Sequence, residues 1–131
     1  MLAYLWIAIG GALGSVARFW FSGIVARQFG ETFPWGTVLV NISGCFVIGV
    51  LAALSEPGGR HYLKPGGREF LIYGVCGGYT TFSSFSLQTL QLMMREEWLK
   101  AAGNVVGSVA LCMVAVWLGY LLAASFNGLR G

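Results

Sequence analysis

The sequence has no aspartate, and its single histidine, His61, lies in a turn-rich connection. The acidic residues are five glutamates, Glu31, Glu56, Glu69, Glu96 and Glu97. All five fall in connections or at predicted helix ends, so the long apolar stretches contain neither an acid nor a histidine. A proton-coupled exporter of cations needs an ionisable acid within the membrane. An intramembrane hydrolase needs a nucleophile with a general base or a metal site. The absence of acids and histidine from the apolar stretches disfavours both the proton-coupled exporter and the intramembrane hydrolase.

Charge of either sign is scarce as well. Charged residues make up 10% of the chain and hydrophobic residues 56%, with a mean hydropathy of +0.72. A typical soluble domain has about 25% charged residues, so the composition favours a membrane protein with lipid as its surroundings. The net charge of +3 comes from scattered basic residues, without the clustered face that nucleic-acid binding requires. Three cysteines, Cys45, Cys76 and Cys112, lie in different spans, which argues against a disulfide framework or a zinc site.

Long stretches without charge predict the membrane spans. These stretches are residues 32–55, 70–94 and 101–129. A further span runs from Met1 towards Arg18 or Arg27. Since a bilayer is crossed by about 20 apolar residues, we expect an all-α membrane protein with four transmembrane helices. At this length it is at most one domain, residues 1–131.

The third of these spans contains residues that interrupt a helix. Gly77 and Gly78 are adjacent, and five hydroxyl side chains follow between Thr80 and Ser86. Loosened or polar backbone is tolerated in hydrocarbon only where other protein covers it or where it lines a watery cavity. The sequence therefore predicts a third helix broken at the midplane, which is a candidate ion or substrate site.

Two other helices carry narrow polar stripes at four-residue spacing. They are Thr37, Asn41 and Cys45 in helix two, which is expected to begin after Pro34, and Asn104, Ser108 and Cys112 in helix four. Asn41 is costly in an apolar span and either lines a pathway or bonds a neighbouring helix. Asn104 lies near Lys100, so an interfacial position is its alternative.

An aromatic pair accompanies these polar groups. Phe82 and Phe85 lie three residues apart, on one face if the second half of helix three is helical. Hydroxyl and amide groups donate to anions, and the edges of aromatic rings carry positive partial charge. Conduction also requires binding that is weak enough to release the ion. The uncharged track therefore favours an anion pathway, although these residues do not identify the anion.

The balance of basic residues across the membrane bears on orientation. With four spans, one side carries Arg60, Lys64, Arg68 and Arg130, and the other carries Arg27, Arg95, Lys100 and, if it reaches that interface, Arg18. Lysine and arginine bias sets orientation, and here it is close to nil. The balance suits insertion in both orientations and antiparallel pairing of two chains; a weakly biased protein of fixed orientation is the equal alternative.

The decapeptide Gly77-Gly-Tyr-Thr-Thr-Phe-Ser-Ser-Phe-Ser86 resembles the Gly-Gly-x-Thr-Thr-Phe-Ser-x-Phe-Ser signature of the small fluoride channels, the Fluc or CrcB family. The segments from Gly10 to Arg18 and from Trp35 to Asn41 agree with it in the same order. The resemblance implies a fluoride-selective passive channel that exports cytoplasmic fluoride across a bacterial inner membrane. It also implies an antiparallel, dual-topology homodimer with two pores. The alternative is a small dual-topology proton-coupled exporter of the multidrug-resistance type, weakened by the missing acid.

The resemblance also implies roles for individual residues. It places Phe82 and Phe85 on the fluoride path, with Asn41 beside them and Ser108 and Asn104 as a polar track. The predicted pathway is completed by Thr37, Ser83 and Ser86. Arg18 matches a basic residue at the entrance vestibule, with a snorkelling arginine as its alternative. The backbone carbonyls of Gly77 and Thr80, from both chains, match a structural sodium site. Gln88 departs from an acidic residue found in some family members, and its role is left open.

Overall fold

A computed structural model describes residues 1–128, and every regular element in that range is helical. The elements are α1 (Leu2–Phe29), α2 (Trp35–Leu54), α3 (Pro65–Arg68), a π-helical segment (Glu69–Cys76), α4 (Gly77–Tyr79), α5 (Phe82–Met94) and α6 (Trp98–Asn127). Of these, α1, α2 and α6 are long and apolar enough to cross a membrane. The prediction of an all-α membrane protein is confirmed to this extent. Arg130, which enters the charge balance, lies outside the described residues.

Turn residues bound the long helices. Pro34 precedes α2, which begins at Trp35 as predicted. Proline suits this position because the first N–H groups of a helix have no partner within it. Gly30 ends α1 with a φ of 77°, and Gly128 ends α6 in the left-handed conformation with a φ of 75°. Only glycine adopts such angles without strain, so both ends are set locally.

The third apolar stretch is a helix in two pieces. Residues 65–79 are continuously helical through α3, the π-helical segment and α4. The chain is then extended at Thr80, with a ψ of 155°, and at Thr81, with φ and ψ of −151° and 112°. Helix α5 follows directly. The predicted interruption is therefore present, and α5 alone is only about 20 Å long at 1.5 Å per residue.

Glycines allow the first piece of the broken helix to touch α1. Gly10 lies against the backbone at Phe70, and Gly14 against the backbone at Val75. A side chain on either glycine would overlap a carbonyl oxygen of the other helix. Small residues of this kind let helix backbones approach closely. Since the contacts advance together along both segments, the first piece runs parallel to α1.

Helices α2 and α6 make a similar contact. Gly49 of α2 lies against the backbone at Val116 of α6, and one turn further Ala53 packs against Ala123 and Ala124. These two helices are therefore parallel as well, and their core consists of small side chains. Two other glycines of α6, Gly103 and Gly107, which are four residues apart, differ. A Cβ on either would meet no atom of another described helix within 4 Å.

Large apolar side chains cover the outside of the molecule. Phe19, Leu99 and Trp117 are 83%, 88% and 61% exposed, and many other aliphatic and aromatic residues share this exposure. Soluble monomers rarely expose contiguous apolar surface of this extent. The exposed surface is suited to lipid or to a second protein chain.

Candidate functional site

The helix break is shaped first by its own residues. Thr81 caps α5, because its Oγ1 accepts a hydrogen bond from the N–H of Ser84 at 3.2 Å. The same hydroxyl donates to Ser84 Oγ at 3.0 Å. Threonine is a favoured cap at this position, where the first N–H groups of a helix lack partners. The second piece of the broken helix therefore has a defined start immediately after the extended residues.

Asn41 of α2 holds the extended residue from the side. Its Oδ1 accepts from the N–H of Thr81 at 2.7 Å, and its Nδ2 donates to the carbonyl of Thr81 at 3.0 Å. One side-chain amide therefore satisfies both backbone groups of one residue. Of the two interpretations given above for Asn41, the structure shows interhelical bonding. Its direct role on a fluoride path stays a prediction.

Two side chains of α1 reach other backbone groups of the break. Ser15 Oγ donates to the carbonyl of Gly78 at 3.4 Å, and Arg18 Nη1 donates to the carbonyl of Thr80 at 3.5 Å. Carbonyls at the end of a helix lack intrahelical partners and are satisfied by such donors. Arg18 therefore extends from α1 to the break and does not simply point outwards along the helix.

The carbonyl of Gly77 does not have its usual helical donor. In an α-helix it would accept from the N–H of the residue four positions later. That residue is Thr81, whose N–H is instead bonded to Asn41. Backbone oxygens suit a hard cation such as sodium, so the Gly77 carbonyl fits as part of a site. The Thr80 carbonyl could take part only through its second lone pair, since it also accepts from Arg18. Because hard cations take about six oxygen ligands, other groups would have to complete it. Sodium itself stays a prediction.

The predicted aromatic pair lies at the start of α5. The ring centroids of Phe82 and Phe85 are 5.2 Å apart with an interplanar angle of 48°. Their surroundings differ, because Phe85 is 9% exposed and Phe82 is 77% exposed. Ser83 and Ser86 are also exposed; Ser86 Oγ is bonded to the carbonyl of Phe82 at 2.9 Å. The structure thus brings the two rings together, with one against the protein and one on the outside.

A chain of hydrogen bonds connects α6 to the buried phenylalanine. Ser108 Oγ donates to Asn104 Oδ1 at 3.3 Å, and Asn104 Nδ2 donates to Thr89 Oγ1 at 2.8 Å. Thr89 Oγ1 in turn donates to the carbonyl of Phe85 at 2.7 Å. Asn104 is 1% exposed, so it is enclosed by protein, and its place on a fluoride path stays a prediction. Sequence reasoning did not assign Thr89 to this track, although its spacing of four from Phe85 was the available signal.

A cavity of about 690 Å³ opens beside the break, between α1, α2, α5 and the connection from α1 to α2. Its lining includes Arg18, which was predicted for the vestibule, and Thr37, which was predicted for the fluoride pathway. Arg95 lines it from the end of α5. Glu31 is the acidic member of the lining, so two arginines face one glutamate, a net charge of +1. A concave site with an excess of positive charge raises the local concentration of anions. Arg95 was not singled out by its sequence context.

Gln88, whose role the sequence left open, also lines this cavity. Its Oε1 is buried and has no hydrogen-bond partner among the described residues. Buried polar atoms normally have a partner, in protein or in ordered water. Gln88 lines the same cavity as Arg18 and Arg95. Within residues 1–128, no cluster of histidine, cysteine or acidic side chains could hold a metal ion.

Together, these features define a class: an all-helical membrane protein built around a polar, uncharged helix break beside an electropositive cavity. The chain belongs to the CrcB-like protein family. The family description that matches is "CrcB-like protein, Camphor Resistance (CrcB)", over residues 5–120. The family expected from the decapeptide signature is therefore confirmed.

Similar proteins occur in several organisms. A protein of Opitutus terrae is 58% identical over 131 residues, covering 100% of this chain and 99% of that protein. Proteins of Methylocella silvestris and Rhodospirillum rubrum are both 53% identical, over 128 and 126 residues. These alignments cover 98% and 96% of this chain and 98% of each relative. All three relatives are named fluoride-specific ion channel FluC.

Proposed function

We propose that this protein is a fluoride-selective passive channel that exports cytoplasmic fluoride across a bacterial inner membrane. The names of relatives that align over almost the whole chain support the choice of fluoride. The observation that carries the proposal is the helix break, where uncharged hydroxyl and amide groups lie beside an aromatic pair. Helices α1, α2, α5 and α6 contain no carboxylate, and Glu69 lies near the start of the broken helix, so no acid deep within these helices could carry a proton in exchange for substrate. The proton-coupled exporter therefore has no support from these helices.

The proposed assembly starts from four spans in each chain. The two pieces of the broken helix are too short singly for a hydrocarbon core of about 30 Å, but together they cover residues 65–94. The first piece runs parallel to α1, and α2 runs parallel to α6. An up-and-down path through the membrane has these directions. We propose that α1, α2, the broken helix and α6 are the four spans.

Two such chains would form an antiparallel homodimer with two pores. The near balance of basic residues on the two sides supports insertion in both orientations. Surfaces that the single chain leaves open also support a partner, including Phe82, which is 77% exposed, and the face at Gly103 and Gly107. The carbonyls of Gly77 and Thr80 supply fewer oxygens than a hard cation takes. A second copy would add the same two carbonyls and bring the set to four, with a structural sodium ion between the chains and any further ligands supplied by other groups.

The residues of the pathway would act in sequence. Arg18, with Arg95, attracts the anion into the cavity, where Thr37 is the next hydroxyl. The exposed edge of the Phe82 ring, flanked by Ser83 and Ser86, then offers positive partial charge. Phe85, Asn104 and Ser108 continue the track between α5 and α6. None of these groups beyond the cavity carries a charge, which suits an ion that must bind and leave quickly.

Purified protein in liposomes tests the proposal directly. With an outward gradient of either potassium fluoride or potassium chloride and with valinomycin present, we expect rapid efflux of fluoride and none of chloride above empty liposomes. Absence of fluoride efflux would overturn the channel. Efflux that requires an opposing proton gradient, with valinomycin absent, would favour an exporter instead. The same liposomes therefore show which anion is transported and whether its transport is coupled to protons.

A further inference from the structure

We propose that Asn41 is a positioning residue for the cation site of the channel proposed above, on whose sodium site this inference rests. By binding both backbone groups of Thr81, its side chain keeps the carbonyl of Gly77 available to the ion. Asn41 touches neither proposed ligand through its amide.

The bidentate contact requires an extended residue. In a β conformation, the N–H and C=O of one residue point to the same side and bond together to one neighbour. Thr81 has this conformation, with φ and ψ of −151° and 112°. In an α-helix the same two groups point in opposite directions along the axis, because each bonds a residue four positions away. The amide of Asn41 can therefore hold both groups only while Thr81 is extended.

The competing conformation is a continuous helix. If Thr81 became helical, its N–H would return to the carbonyl of Gly77, which is its partner four residues earlier. That bond would remove the free carbonyl. With Asn41 present, a continuous helix has to break the bonds of 2.7 and 3.0 Å to Thr81 before the Thr81 N–H can return to the Gly77 carbonyl. Asn41 thus opposes closure of the site by giving the Thr81 N–H a partner other than the Gly77 carbonyl.

The other side chains at the break do not have this effect. Ser15 and Arg18 donate to the carbonyls of Gly78 and Thr80, so neither of them binds the N–H of Thr81. Ser43, half a turn from Asn41 on α2, bonds the side-chain hydroxyl of Tyr79 at 2.9 Å and no backbone group of the break. Ser43→Ala is therefore a matched control, because it removes a bond from α2 to the same segment without affecting Thr81.

The conformation of Thr81 provides a readout that is independent of transport. Labelling threonine with ¹³C and ¹⁵N identifies Thr81 directly, since Thr80 and Thr81 form the only Thr-Thr pair in the sequence. In the parent and in Ser43→Ala, we expect Cα and Cβ chemical shifts typical of a strand. In Asn41→Ala they should move towards helical values. Unchanged shifts in Asn41→Ala would overturn the positioning role, whatever the flux of that variant.

The second readout is the sodium concentration that stabilises the protein against thermal unfolding, with N-methyl-D-glucamine as the replacement cation. Ligand binding to the folded state raises stability in proportion to ln(1 + [L]/Kd). We expect the sodium midpoint of Asn41→Ala to rise at least about tenfold, which corresponds to about 1.4 kcal/mol. A midpoint equal to that of the parent would contradict the proposal. If sodium does not raise the stability of the parent protein, the proposed cation site does not exist. Fluoride efflux tests the channel separately.

Asn41→Asp keeps the test decisive if the alanine variant does not fold. A carboxylate accepts from the Thr81 N–H but repels the Thr81 carbonyl, whereas a protonated carboxyl both accepts and donates as the amide does. The positioning role predicts weak sodium binding at high pH that recovers as the pH is lowered. A plain charge effect has the opposite sign, because a carboxylate attracts sodium. Tighter sodium binding at high pH would therefore overturn the proposal.

Discussion

Replacing Asn104 with leucine should break the polar link between α6 and α5. Asn104 is 1% exposed, donates to Thr89 Oγ1 at 2.8 Å and accepts from Ser108 Oγ at 3.3 Å. Leucine has a similar size but neither a donor nor an acceptor, so both bonds are lost while the space stays filled. We expect Asn104→Leu to lower both the stability of the protein and its fluoride flux.

The size of the stability effect follows from the two bonds. Interhelical hydrogen bonds in membrane proteins contribute about 0.6 kcal/mol on average and at most about 1.7 kcal/mol. The short bond to Thr89 belongs near the upper value. The bond to Ser108 contributes less, because a serine can turn its hydroxyl to a backbone carbonyl one turn back. The expected loss is about 1–2 kcal/mol in the free energy of unfolding.

The flux effect should be larger if Asn104 donates to the passing anion. A hydrogen bond to a charged group contributes about 1.5–3 kcal/mol, which corresponds to a loss of flux of about ten- to a hundredfold. The two contributions can be separated with Thr89→Val, which preserves shape but removes the acceptor of the Asn104 bond. Equilibrium unfolding in detergent of both single variants and the double variant measures the coupling between the two side chains.

Two results would refute this reasoning. Additive losses of stability in the double variant would show that Asn104 and Thr89 do not act as a pair. Fluoride flux in Asn104→Leu equal to that of the parent, measured in liposomes, would remove Asn104 from the pathway. In that case, the α6 track would be an interhelical bonding network only.

Further predictions concern the rings, the orientation and the helix packing. Phe82→Ile should sharply reduce fluoride flux and change the free energy of unfolding by no more than about 0.5 kcal/mol, as for an exposed side chain. Phe85→Ile should also reduce flux and lower the free energy of unfolding by up to about 1.5 kcal/mol. If both variants conduct like the parent in liposomes, the rings are packing residues only. A few lysines added to one side should fix the orientation and abolish flux, restored by co-expressing an oppositely biased partner, and full flux from a single-orientation population would contradict the dual topology. Gly49→Val should push the backbone of Val116 away and lower the yield and unfolding temperature of the purified protein. As a control, Gly103→Ala should not prevent the chain from folding. Equal yields and unfolding temperatures for Gly49→Val and the parent would disprove close packing between α2 and α6.

Local signals in the sequence predicted several parts of the structure. The start of α2 follows from Pro34, because proline has a fixed φ and lacks an N–H. The interrupted helix follows from two glycines and a run of hydroxyls within an apolar stretch. The structure places the extended residues at Thr80 and Thr81, inside the predicted segment. Such features are predictable because each depends on residues that are neighbours in the chain.

Contacts between distant residues could not be predicted in this way. Asn41 is 40 residues from Thr81, and its spacing within α2 indicates a polar face without indicating what that face bonds. The same is true of Thr89, whose partner Asn104 lies on another helix. Arg95, at the end of α5, lines one cavity with Arg18 of α1 only because of how these helices pack. These positions depend on how the helices pack, which a pattern along one helix does not contain.

The π-helical segment Glu69–Cys76 affects how changes in chain length are tolerated. Its hydrogen bonds skip one more residue than those of an α-helix, so the segment holds an excess of chain for the distance it covers. Removing a single residue there should tighten the wide turns into an α-helix and absorb the deletion. The same deletion in α5 would rotate Phe85 and Thr89 away from their partners by about 100°, the turn of one residue. We therefore expect this segment to accommodate a difference of one residue while the break itself does not.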